Sequence, residues 1–75
     1  MSRIEEFEES RPLLLSIAYR ILGPAGEVDD AVHEAWLCYE ALPTEPASSR
    51  AFLSALVARI ALDRWRRPRQ APVSR

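Results

Sequence analysis

Apolar residues recur along this chain at helical spacing in three separate stretches. Leu13, Leu14, Ile17, Ala18, Ile21 and Leu22 form the first, and Gly23-Pro24 closes it. Val28, Ala31, Val32, Ala35, Trp36 and Tyr39 then follow the i, i+3, i+4, i+7, i+8, i+11 rule of a single helix face. That pattern predicts a helix from about Glu27 to Leu42, with Pro43 as its stop. Glu27, Asp29 and Asp30 crowd its first turn, where carboxylates suit the positive end of the helix dipole. Leu53, Leu56, Val57, Ile60 and Ala61 make the third stripe, on a helix expected to start at Ser48 or Ser49 and run to about Arg67 before Pro68. The segment between, Pro43-Thr44-Glu45-Pro46-Ala47-Ser48-Ser49, reads as a loop.

The N-terminus is ambiguous at one point. Ser2-Arg3-Ile4-Glu5 has the form of a capping box and opens a short acidic helix to about Glu9. Ser10, followed by Arg11-Pro12, then reads as a fresh N-cap with proline in the first turn. Alternatively both pieces form one helix kinked at Pro12. No stretch reads as a strand. The expected fold is an all-α bundle of three main helices, with the N-terminal piece as a possible short fourth. Residues 1–67 are expected to form the domain and 68–75 a flexible tail.

Seventy-five residues leave room for one small domain. The single cysteine, Cys38, excludes an internal disulfide framework and fits a reducing compartment, so a cytoplasmic location is expected. No apolar run approaches the roughly 18 residues that span a bilayer. The acidic start Met1-Ser2-Arg3-Ile4-Glu5-Glu6 predicts no signal peptide. His33 stands without a cysteine or histidine cluster, and Cys38 has no evident base beside it. No glycine-rich phosphate loop is present. Neither a metal, a cofactor nor a catalytic constellation is expected.

Charge is divided sharply along the chain. Residues 1–45 carry ten acids against Arg3, Arg11 and Arg20, a net −7, whereas residues 46–75 carry seven arginines against Asp63, a net +6. Such asymmetry points to a polyanionic partner on the basic side. Every cation is arginine, whose planar fork suits phosphate and base edges, although a codon bias toward Arg and Ala accounts for the same usage. Two surfaces remain once the core stripes are assigned. Asp30, His33, Glu34, Leu37 and Ala41 form a second stripe on the middle helix, acidic at its head and apolar at its tail. That stripe reads either as a docking face for a basic amphipathic helix or as a solvated face with one stray leucine. On the last helix Arg59 and Arg67 flank Asp63 at i−4 and i+4, an expected ion-pair ladder. Arg64, Arg66, Arg67 and Arg69 remain as a positive cluster larger than helix capping requires. Trp65, on a face with Ala58, Ala61 and Leu62, is expected to pack in or at the edge of the core.

Three segments together resemble conserved region 2 of the bacterial sigma-70 family, and more narrowly the extracytoplasmic-function (ECF) sigma factors. They are Phe7-Glu8-Glu9-Ser10-Arg11-Pro12-Leu13-Leu14-Leu15-Ser16-Ile17-Ala18-Tyr19-Arg20-Ile21-Leu22-Gly23, Asp29-Asp30-Ala31-Val32-His33-Glu34-Ala35-Trp36-Leu37, and Arg50-Ala51-Phe52-Leu53 with Val57-Ala58-Arg59-Ile60-Ala61-Leu62-Asp63-Arg64-Trp65-Arg66. The resemblance covers about residues 5–67. It implies a non-enzymatic domain that binds the β′ clamp helices of core RNA polymerase and recognises and helps melt the promoter −10 element through its non-template strand. An anti-sigma factor is a further partner it allows, and a membrane is not.

On this resemblance the family's Asp-x-x-Gln-Glu polymerase-docking stretch falls on Asp30-Ala31-Val32-His33-Glu34, with Leu37 a turn later. Asp30, His33, Glu34 and Leu37 are therefore the expected polymerase contacts. The loop Thr44 to Ser49 corresponds to the segment that captures an extruded −10 base. Ser48, Ser49 and Arg50 at its end, with Arg59, Arg66 and Arg67 on the last helix, are the expected DNA contacts. Three positions depart from the family pattern. His33 replaces the usual Gln, Arg59 stands where Asn is common, and the short loop carries two prolines without the expected aromatic and glycine. The family's second DNA-reading domain, region 4, does not fit in this length. These departures support an alternative expectation, a stand-alone sigma-like interaction module without productive DNA recognition.

Overall fold

A computed structural model of the chain describes residues 2–24 and 26–67. Among them are three helices, α1 (Arg3–Leu22), α2 (Val28–Glu40) and α3 (Ser49–Arg66), and no strand. The expected tail, 68–75, lies outside the described residues. Arg3 at the start of α1 meets the end of α2, and Arg64 at the end of α3 meets its beginning. Both neighbours therefore run antiparallel to α2. The most extensive helix contact is between α1 and α3.

Of the two readings of the N-terminus, the single helix through Pro12 is the one present. α1 is continuous from Arg3 to Leu22 with Pro12 inside it, and Ser10 is buried rather than a cap. Pro12 cannot donate to the Glu8 carbonyl, a local defect that would favour a break. Packing outweighs it. Phe7, Ser10, Leu14 and Ala18 form one buried stripe only if the helix is unbroken, and Phe7 then meets Trp36 with ring centroids 5.1 Å apart. The Ser2 capping box is present, with Glu5 N–H donating to Ser2 Oγ at 3.3 Å and Ser2 N–H to Glu5 Oε1 at 3.1 Å.

Gly23 ends α1 at φ +80°, a left-handed conformation that L side chains rarely adopt, and its N–H closes on the Tyr19 carbonyl at 2.8 Å. Three residues on, a Cβ at Gly26 would stand 2.5 Å from Leu22 Cβ, so only glycine fits the turn into α2. Ser48 starts α3 by accepting from Ala51 N–H at 3.2 Å.

The core follows the three stripes. Leu14, Ala18, Ala31, Ala35, Tyr39, Leu53, Val57 and Ala61 are fully buried. An aromatic chain joins the helices, from Phe7 through Trp36 and Tyr39 to Phe52. Arg3, which the pattern of apolar positions does not single out, fastens the end of α2. Its Nη1 donates to the carbonyls of Tyr39 (2.7 Å), Glu40 (3.3 Å) and Leu42 (2.9 Å), and its guanidinium lies 5.5 Å above the Tyr39 ring. Arg3→Ala is expected to destabilise the fold by about 1–3 kcal/mol, because those half-buried carbonyls lose a charged donor. Urea unfolding monitored by circular dichroism measures it, and an unchanged midpoint would contradict the clamp.

Candidate functional site

The four expected polymerase contacts share one face of α2. On α2, Asp30, His33, Glu34 and Leu37 are all exposed, on the side turned away from the buried Ala31, Val32, Ala35 and Tyr39. Leu37 retains 50% of its accessible surface in the absence of any partner. His33 also lines a groove of about 260 Å³ between α1 and α2, with Ile4, Phe7, Val32 and Trp36 as its apolar lining and Glu8, Arg11 and Asp29 as its charged residues.

Glu34 is not left unpaired. Arg64 on α3 donates from Nη2 to Glu34 Oε1 at 2.6 Å and from Nη1 to Glu27 Oε1 at 2.7 Å. The Glu34 hydrogen bond, with the charges of both acids, holds the guanidinium's proton more tightly than usual, against a smaller opposing effect of burial. This corrects the expectation of a four-arginine cluster. Arg64 turns inward across the bundle, and Arg69 lies outside the described residues. The expected ladder around Asp63 is also different. Asp63 pairs with Arg66 at 3.1 Å, while Arg59 and Arg67 form no ion pair among the described residues.

α3 presents a second surface. At about 100° per residue, Ala55, Leu62 and Arg66 project away from Leu53, Val57 and Ile60, with Arg59 and Trp65 on the two shoulders. All five are exposed. Trp65 keeps 65% of its surface, which overturns its expected place in or beside the core. The reason is geometric, since in a three-helix bundle each helix faces two others and its remaining side faces solvent. Arg50 and Arg67 are exposed at the two ends of α3, away from this central strip. Ser48 and Ser49 are already occupied. The Ser48 hydroxyl caps α3, and the Ser49 hydroxyl lies 2.7 Å from the Tyr39 hydroxyl. The six expected DNA contacts therefore do not form one patch. Arg59 and Arg66 share a face, and Trp65 lies on its opposite shoulder.

Residues 7–71 match the model of the family described as Sigma-70 region 2. The chain belongs to that family. It is also 41% identical over 63 residues to "ECF RNA polymerase sigma factor SigJ" of Mycobacterium tuberculosis (strain ATCC 25618 / H37Rv), a match that covers 84% of this chain and 20% of that protein. The chain spans about a fifth of the length of that relative. No solved structure matches it. The resemblance read from the three sequence segments is thus shown, as is the all-α fold of this sigma region 2 domain. Sigma factors are non-enzymatic transcription initiation factors. Among the described residues no helix is long and apolar enough to cross a membrane.

Proposed function

We propose that this sigma region 2 domain docks on the β′ clamp helices of RNA polymerase in the cytoplasm and engages the non-template strand of the promoter −10 element during transcription initiation. Asp30, His33, Glu34 and Leu37 meet the polymerase. The observation that carries the reading is the half-exposed Leu37 on the outward side of α2, one turn beyond Glu34 and two beyond Asp30. An apolar anchor ringed by acids suits a basic amphipathic helix.

The nucleic-acid side rests on α3, where Arg59 and Arg66 supply charge for phosphates and Trp65 a ring on which an unstacked base can lie. Arg50, Arg67, Ser48 and Ser49 frame it at the helix ends. Titration of the chain with a clamp-helix fragment, and separately with an adenine- and thymine-rich single strand at rising salt, tests both halves. Single-strand affinity is expected to fall with a log–log slope of about −0.7 per arginine–phosphate contact. Trp65→Ala is expected to weaken it by about five- to a hundredfold, the range of ~1–3 kcal/mol per stacked base, with the melting temperature unchanged. Single-strand binding insensitive to salt and to Trp65 would remove the nucleic-acid half.

The engagement of the Ser48 and Ser49 hydroxyls within the fold supports a second reading. In it the domain binds polymerase or an anti-sigma factor through α2 without productive DNA recognition. Fragment binding without measurable single-strand binding would favour that reading.

A further inference from the structure

Two apolar surfaces on different sides of the bundle are left uncovered. The groove between α1 and α2 is lined by residues of those two helices, and α3 supplies none of them. Ile4, part of its lining, keeps 56% of its surface. The volume of about 260 Å³ has room for one large side chain and falls below the roughly 300–1,000 Å³ of pockets that hold drug-sized ligands. Glu5, Glu8, Glu9 and Asp29 stand along the groove and the shallow depression beside it, against Arg11 as the one cation, so the four acids leave a net −3. Arg11 lies 3.8 Å from Glu8, and Asp29 has no ion pair among the described residues. The second surface is the outward strip of α3. Leu62 is 47% exposed and Trp65, three residues on, 65% exposed, with Arg59 and Arg66 one turn to either side of Leu62. Arg59 has no ion pair among the described residues, and Arg66 pairs with the exposed Asp63 alone.

We infer that a second copy of this chain covers the groove, with its Trp65 seated between α1 and α2 and its Arg59 and Arg66 set among the acids. The inference goes beyond the polymerase and promoter reading and stands or falls without it. Charge selects this occupant first, since residues 1–45 carry a net −7 and residues 46–75 a net +6, so the acidic half of one copy attracts the basic half of the next. Shape selects it too, because an apolar groove with acids beside it takes a helix that presents apolar residues three apart between cations. Tryptophan and arginine are, moreover, the side chains that most often carry the energy of an interface. The contact cannot form within one chain, because α3 lines no part of the groove and Trp65 is on the side of α3 turned away from the core. The interface is therefore heterologous. Each copy joined through its groove keeps a free strip, and each joined through its strip keeps a free groove, so association runs head to tail.

Analytical ultracentrifugation of the wild-type chain at low salt, from about 10 μM to 1 mM, is expected to show a mass that rises with concentration beyond that of a dimer, as a small head-to-tail interface gives. Salt near 1 M, where the Debye length falls to about 3 Å, is expected to weaken the association. Trp65→Ala removes the ring and is expected to weaken it by about thirtyfold, the loss for a central aromatic at an interface. Ile4→Arg removes apolar lining and sets a cation where the arginines of the second copy come, with an expected loss of about tenfold or more. Both residues are exposed, so both variants are expected to fold, which a thermal melt checks. Glu8→Arg is the second groove variant should Ile4→Arg lower the melting temperature. The deciding sample is an equimolar mixture of Trp65→Ala, which keeps the groove, with Ile4→Arg, which keeps the ring. It is expected to form a heterodimer of near wild-type affinity that stops at two copies. A wild-type chain that stays monomeric over the whole range would overturn the inference, as would Trp65→Ala that associates like wild type. A mixture that stays monomeric would overturn it as well, because it would place one ring against another rather than in a groove.

Discussion

Leu37→Asp is expected to weaken binding of the β′ clamp-helix fragment by about ten- to a hundredfold while leaving the melting temperature near that of wild type. Burying a leucine side chain contributes about 1.5–3 kcal/mol, and each 1.4 kcal/mol is a factor of ten in affinity. An aspartate adds a desolvation penalty against whatever apolar surface Leu37 meets. Stability is spared because Leu37 packs against nothing in the core, being half exposed on the side of α2 opposite Ala31, Ala35 and Tyr39. Surface substitutions of that kind move stability by less than about 0.5 kcal/mol.

Asp30→Arg is the electrostatic companion, since Asp30 is exposed and has no ion pair among the described residues. Glu34→Arg is less clean. It would set a second cation against Arg64 and confound docking with repulsion between α2 and α3. Wild-type affinity in Leu37→Asp, measured by titration calorimetry, would show that the stripe is only a solvated face.

The largest expected effect on folding is at Tyr39. Its side chain is fully buried, its ring lies in the aromatic chain between Trp36 and Phe52, its hydroxyl meets Ser49, and its carbonyl accepts from Arg3. Truncating a large buried aromatic to alanine costs about 3–5 kcal/mol. A core in a domain this small supplies only about 3–5 kcal/mol of net stability. Tyr39→Ala is therefore expected to abolish cooperative unfolding at ordinary temperature, seen as a missing transition in urea or heat. Tyr39→Phe keeps the ring and removes only the hydroxyl, for an expected loss of about 0.5–1.5 kcal/mol. The two variants separate packing from the Ser49 hydrogen bond. A cooperative, near-native transition in Tyr39→Ala would mean that the core does not depend on the aromatic chain.

Much of this domain was legible in the linear pattern. The three apolar stripes, the serine caps at Ser2 and Ser48, the stop at Gly23 and the exposed acidic-then-apolar stripe on α2 all stand where periodicity and capping chemistry put them. These features are local, since a helix of 3.6 residues per turn assigns each side chain to a face without reference to any other helix.

What the linear pattern left open or misplaced has the opposite character. Pro12 is a helix breaker by local rules, and it is overridden because Phe7 gains a partner on α2. Arg3 finds carbonyls 36 to 39 residues away. Trp65 carries an apolar ring on a face that no other helix covers. Arg64, counted along the chain, is one more cation in a basic tail, yet across the bundle its partners lie 37 and 30 residues upstream. Sequence by itself determined where the apolar stripes lie and which side of each helix is apolar, because those depend on backbone periodicity alone. Tertiary structure decided which charges pair and which aromatic rings stay exposed, because both depend on where antiparallel neighbours end, and no spacing within a single helix contains that information.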